Sequence, residues 1–150
     1  MPRELAVFLM SMLPVTELRA SIPIGILKYD LAPMSTFIWS VLGNTLLGAL
    51  TALLITPVTK LIIEKISFLD KIWQKYIGRL HDKHKEKFEK WQAWALVSFV
   101  AIPLPMTGAF SGAVAASIFK IEIKKTVPLI FLGCLISGII VTFMTLGFTL

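Results

Sequence analysis

The sequence predicts an all-α integral membrane fold: an inverted repeat of a re-entrant helical hairpin plus a transmembrane helix, with the halves joined by an amphipathic cytoplasmic helix. Three observations lead there. Only 16% of the residues are charged and 56% are hydrophobic, whereas a soluble domain carries about 25% charged residues. Prolines interrupt two of the long uncharged stretches. Nine of the fifteen Lys and Arg residues fall between Lys60 and Lys90.

That concentration also decides what the net charge of +6 means. Basic residues gathered in one loop of an apolar chain mark that loop as cytoplasmic, so the partner they imply is a membrane and not nucleic acid. A chain of 150 residues with mean hydropathy +0.80 is expected to form one membrane domain. Its single cysteine, Cys134, allows no intramolecular disulfide and no cysteine metal cluster, and lies in an apolar run where packing is its expected role.

The first repeat covers 1–59. Leu5 to Leu13 is apolar but short: nine residues at about 1.5 Å each span roughly half of a hydrocarbon core of about 30 Å. Arg3 and this run imitate a signal peptide, yet Glu17, Leu18 and Arg19 before Ala20 do not fit a cleavage site. Pro14 ends the run, because a proline pushes its predecessor out of the helical region. Thr16 is placed to cap a second short helix towards Leu27, with Pro23 as a further break. The result is a hairpin over 5–29, tolerated at membrane depth only where protein buries it or it lines a cavity. A span over 34–59 follows, opened by Pro33 and ended or kinked by Pro57, with Gly43 and Gly48 thinning one flank.

From 60 to 90, apolar residues such as Ile62, Ile66, Ile72 and Tyr76 recur at helical spacing among Lys, Asp and Glu. This predicts a basic amphipathic helix on the inner membrane surface. His81 and His84 share a face, but neighbouring lysines argue against a metal.

The second repeat covers 91–150. Residues 91–119 are uncharged, and as one helix would be about 43 Å long. Pro103 and Pro105 make one helix untenable, so the reading is a second hairpin whose outgoing half is capped by Thr107. Gly108, Gly112 and Ala116 give that half a smooth stripe. A hairpin also returns Lys120, Lys124 and Lys125 to the basic side. The last span runs 126–148. Leu13-Pro14-x-Thr16 echoes Leu104-Pro105-x-Thr107, and Leu42-Gly43-Asn44 echoes Leu132-Gly133-Cys134, each about 90 residues on. Hairpins entering from opposite leaflets make an inverted repeat, the plan of secondary transporters, with both termini outside.

Glu17 and Arg19 are charges in an apolar zone, where each is costly and marks function. Two apart on a helix, they face different ways and pair poorly. Glu17 is left to bind a proton, burial raising its proton affinity, and Arg19 to hold an anion. The helix starts at Thr16 and Thr107 add anion-binding N–H groups, and Ser21 and Asn44 are candidate polar liners.

Glu17-x-Arg19-x-x-Ile22-Pro23 together with Ile102-Pro103-Leu104-Pro105-x-Thr107-Gly108-Ala109 resembles the small multi-drug export family of prokaryotic membrane proteins. More distantly, the two proline-broken hairpins look like the DedA superfamily, some of whose members are implicated in moving polyprenyl-phosphate carriers or scrambling lipids. The resemblance implies a multi-pass protein of a prokaryotic plasma membrane, with Glu17 and Arg19 matching the charged pair of the first hairpin. Met106 stands where the pattern has glycine, and the second hairpin lacks the arginine that DedA-like proteins place there.

The expected function is therefore a small transporter or flippase for an amphipathic, lipid-phosphate-like anion, with no cofactor beyond a coupling proton. The alternatives are an exporter of hydrophobic cations, or a scaffold using the basic helix. No nucleophile motif or phosphate loop points to an enzyme. Two spans and two hairpins barely enclose a cavity, so a homodimer is expected.

Overall fold

The computed structural model describes residues 1–79 and 85–148. Among the described residues there are helices and no strand: α1 (Arg3–Ser11), α2 (Glu17–Pro23, continuing as a π-turn over Ile24–Lys28), α3 (Pro33–Lys65), α4 (Ser67–Ile72, continuing in wider register over Trp73–Gly78), α5 (Lys85–Ala101), α6 (Ala109–Ile118) and α7 (Ile123–Gly147).

Two of these, α3 and α7, are long and apolar enough to cross a bilayer. Their burial pattern is inside out. On α3 the buried positions include Thr36, Ser40, Gly43, Asn44 and Thr51, while Leu46, Leu50, Leu53 and Leu54 face outward. On α7 the buried set includes Thr126, Gly133, Cys134, Ser137 and Thr145, and Phe131, Ile139 and Phe143 are exposed. In water, this arrangement would forfeit the hydrophobic burial that holds a domain together. A hydrocarbon surround reverses the preference, and this chain is a membrane protein.

Each long helix is accompanied by a hairpin of shorter ones. Arg3 Nη1 donates to Tyr29 O at 3.0 Å, so the chain returns after α2 to where α1 began. Gln92 Nε2 likewise donates to Phe119 O at 3.3 Å, closing α5 and α6 into a second hairpin. Glycine sets the close approaches. A Cβ on Gly43 would overlap Ser11 Oγ and Phe8 O of α1; one on Gly133 would lie 2.6 Å from Val100 Cβ and 3.2 Å from Val97 O of α5. The long helices themselves run antiparallel, with Gly48 against Ile130 and Gly138 against Phe37 and Val41.

Gly43→Ala should therefore cost about 1–3 kcal/mol, because backbone Phe8 O cannot step aside. Gly147→Ala, with open space around it, should cost little. Thermal unfolding of the two variants in detergent checks the contrast.

Several boundaries differ from the sequence reading. The first span does not end at Pro57: α3 runs through it to Lys65. Thr56 and Thr59 hydroxyls on either side of the proline donate back to Ala52 O and Ile55 O at 2.5 and 3.0 Å. The 60–90 linker is accordingly not one amphipathic helix. Its first residues belong to α3, Ile66 is extended (φ −97, ψ 92), and its last residues, Lys85 to Lys90, begin α5. Lys and Glu are good helix formers, so α5 starts six residues before Trp91. His81 and His84 lie outside the described residues. Pro23 is no break either: helical backbone continues past it into a wider turn that Tyr29 N closes onto Ile24 O at 3.1 Å.

Candidate functional site

The first break covers 12–16 and the second 102–108, each following a helix that stops short and preceding another. A break leaves the last carbonyls of one helix and the first N–H groups of the next without partners.

Threonine serves the carbonyls. Thr16 holds the N-cap position of α2, but its side chain does not cap: Oγ1 donates to Met10 O at 2.6 Å, at the end of α1. Thr107 is not the cap of α6 at all, since Gly108 holds that position. Its Oγ1 lies 2.7 Å from Ile102 O and 2.8 Å from Leu104 O, sharing one proton between them. Both hydroxyls thus close the preceding helix instead of opening the next one.

The charged pair of the first hairpin completes the second break. Glu17 is 5% exposed, and its Oε1 accepts from Phe110 N at 3.3 Å, in the first turn of α6. Beneath it Gly108 leaves no room for a side chain, as a Cβ there would overlap the Glu17 carboxylate. Arg19 donates to Leu104 O, to Ile102 O at 3.1 Å and to Thr107 Oγ1 at 3.0 Å. So the carboxylate meets the positive N-terminus of α6 and the guanidinium meets the carbonyls after α5, each matched to a helix-end dipole. The two do not pair with each other, as their spacing predicts. What the sequence did not disclose is that the α6 N-terminus is already occupied by Glu17 and is no open anion site.

Backbone strain collects at the same place. Glu17 (φ 47) and Met106 (φ 66) are both left-handed non-glycine residues, a conformation costing an L-residue about 1–2 kcal/mol. This accounts for glycine being the expected residue at 106. Met106→Gly should raise stability by about 1 kcal/mol, read as a higher thermal midpoint in detergent.

A cleft of about 740 Å³ lies between the breaks. Its walls are largely apolar, from Pro14, Val15, Ala20, Pro103, Pro105, Met106 and Phe110, with Thr16, Glu17, Arg19 and Ser111 as polar points. Arg19 is part-exposed to it, whereas Glu17 is buried. Arg19 Nε has no hydrogen-bond partner.

Ser21 and Asn44 do not line this cleft. Ser21 is buried and donates to Ser40 Oγ at 2.8 Å. Asn44 is buried with Nδ2 3.6 Å from Cys134 Sγ, and its Oδ1 is unpartnered. Cys134 is thus packed, as expected, but against a polar neighbour. The partners Phe110 N, Ile102 O and Leu104 O are backbone atoms and left no mark in the sequence. Ser40 had a signal: Thr36, Ser40 and Asn44 recur every four residues, one polar stripe along an apolar helix.

A family model described as "Putative small multi-drug export protein" matches residues 17–140, a stretch that opens on Glu17, just after the first break, and takes in the second. Neither a curated protein nor a solved structure matches the chain significantly.

Proposed function

The chain belongs to the small multi-drug export family, and on that premise we propose that it is a secondary transporter carrying an amphipathic anion through the cleft between its two breaks. The observation that carries the substrate's sign is the unequal exposure of the charges. Arg19 is part-exposed at the cleft, while Glu17 lies buried beneath it against Gly108. An apolar cleft presenting a cation suits a molecule with an apolar body and a phosphate or carboxylate head.

Glu17 carries the coupling proton in this reading. Ionised, it satisfies the α6 N-terminus; protonated, it loses the charge that attracts Phe110 N–H and opposes an incoming anion. Anion and proton then travel together.

The hairpins are re-entrant and enter from opposite leaflets, with 60–90 cytoplasmic, both termini outside and the protein a homodimer in a prokaryotic plasma membrane. Two contacts support the inverted repeat. Glu17 touches Gly108, its counterpart 91 residues on, and Asn44 touches Cys134, its counterpart at 90. Equivalent positions meet each other where a two-fold axis passes between the halves. Cys134 is buried, so a cysteine introduced at Lys124 reports sidedness cleanly, and labelling only from the cytoplasmic side is expected.

The family description favours a second reading, export of drug-like lipophilic cations. Proteoliposomes given a fluorescent amphipathic phosphate and a lipophilic cation separate the two. Wild type is expected to move the phosphate, faster with an inward proton gradient, and Glu17→Gln to lose the gradient dependence. Movement of the cation alone would favour the second reading.

A further inference from the structure

A second polar cavity lies away from the cleft, where the cytoplasmic end of α3 meets the connection from α6 to α7. It measures about 340 Å³ and is lined, among the described residues, by Lys60, Lys120 and Lys124, with Thr56, Ser117 and one carboxylate, Glu122. We propose that this cavity binds a phosphate monoester or diester, the headgroup phosphate of an anionic phospholipid being its membrane source.

Four features on the molecule point there. Among the described residues, the lining carries lysines from three separate elements and one carboxylate, so the cavity favours an anion. The first turn of α7, Ile123 and Lys124, forms part of its wall and brings helix N-terminal N–H groups to the same place. Lys120 (φ 55) ends α6 in a Schellman turn, with Ile121 N bonded to Ala116 O at 2.9 Å and Lys120 N to Ser117 O at 3.1 Å. That position ordinarily takes glycine, yet here it carries an ammonium to the cavity. Finally, the hydroxyls of Thr59 and Ser117 hydrogen-bond between α3 and α6, fixing one wall.

The choice of a lipid follows from the flanks. Leu61 and Ile118 are 58% and 46% exposed beside the cavity, on the outward apolar surface where acyl chains lie. A headgroup held by the lysines would leave its tails along these side chains. Basic pockets between helices at the membrane surface recognise anionic headgroups in this way.

The test uses the full chain in nanodiscs of phosphatidylcholine doped with phosphatidylglycerol, with retained phosphatidylglycerol counted by native mass spectrometry. Wild type should retain it, and the double variant Lys60→Gln/Lys124→Gln should retain at least five-fold less. The control pair Lys71→Gln/Lys75→Gln should match wild type. Helical circular dichroism confirms that each variant is folded, and Lys120→Gly, which suits its backbone position, should weaken retention on its own. Inorganic phosphate at millimolar concentration distinguishes the sources: competition identifies the phosphate as the recognised group, and its failure identifies the whole lipid. Equal retention by wild type and the Lys60/Lys124 variant, or an equal loss in the control pair, would overturn the proposal.

Discussion

Replacing Gly108 by alanine is expected to lower stability by about 2–3 kcal/mol and to abolish transport, although it adds one methyl group. The methyl would occupy the space of the Glu17 carboxylate, and overpacking of this kind costs about 1–3 kcal/mol. Here the displaced group is a charge. Moving Glu17 also strips Phe110 N of its acceptor in the first turn of α6 and leaves a buried carboxylate without its dipole partner. Glu17→Gly in the same chain should restore much of the stability and none of the proton coupling. That separates crowding from chemistry. Thermal unfolding in detergent and proteoliposome uptake give the two readouts.

The second large effect is at Arg19. Arg19→Ala should cost about 3 kcal/mol, because the side chain binds three acceptors in the second break and bonds to a charged donor are worth about 1.5–3 kcal/mol each before solvent and relaxation reduce the sum. Arg19→Lys keeps the charge but places one compact ammonium where a planar fork spans several oxygens. It should recover less than half of the loss. Thr107→Val, removing one of those acceptors, should have a smaller effect in the same direction. If Arg19→Lys unfolds at the wild-type temperature, the fork geometry is irrelevant and the guanidinium is not what joins the hairpins.

How much of this could be read from the sequence depends on whether side chains or backbone carry the information. The two breaks were legible because proline imposes its own conformation: Pro14 and the Pro103/Pro105 pair lie where helices stop. The spans were legible in uncharged length. Their ends were not, because a helix keeps going past Pro57 and begins early at Lys85 wherever nothing local stops it. Glu17 and Arg19 stood out as charges in an apolar stretch, but what they hold did not. Their partners are main-chain groups of a segment more than 80 residues away, and every residue type carries those groups. Thr16 had the cap position and Thr107 missed it by one residue, and neither makes the expected bond, since a hydroxyl beside a helix gap can serve either the carbonyls before it or the amides after it. Met106 is the converse case. Its departure from the expected glycine was visible in the sequence, and the left-handed backbone that explains why glycine suits the position was not.

Arg19, part-exposed at the cleft, is the group proposed to receive the substrate's anionic head. The most direct measurement is uptake of a fluorescent amphipathic phosphate into proteoliposomes by wild type and Arg19→Lys, compared at equal amounts of folded protein. Uptake by Arg19→Lys should fall at least ten-fold, because one compact ammonium cannot both hold the oxygens of the second break and meet the anionic head. Undiminished uptake by Arg19→Lys, with the protein folded and correctly inserted, would contradict it.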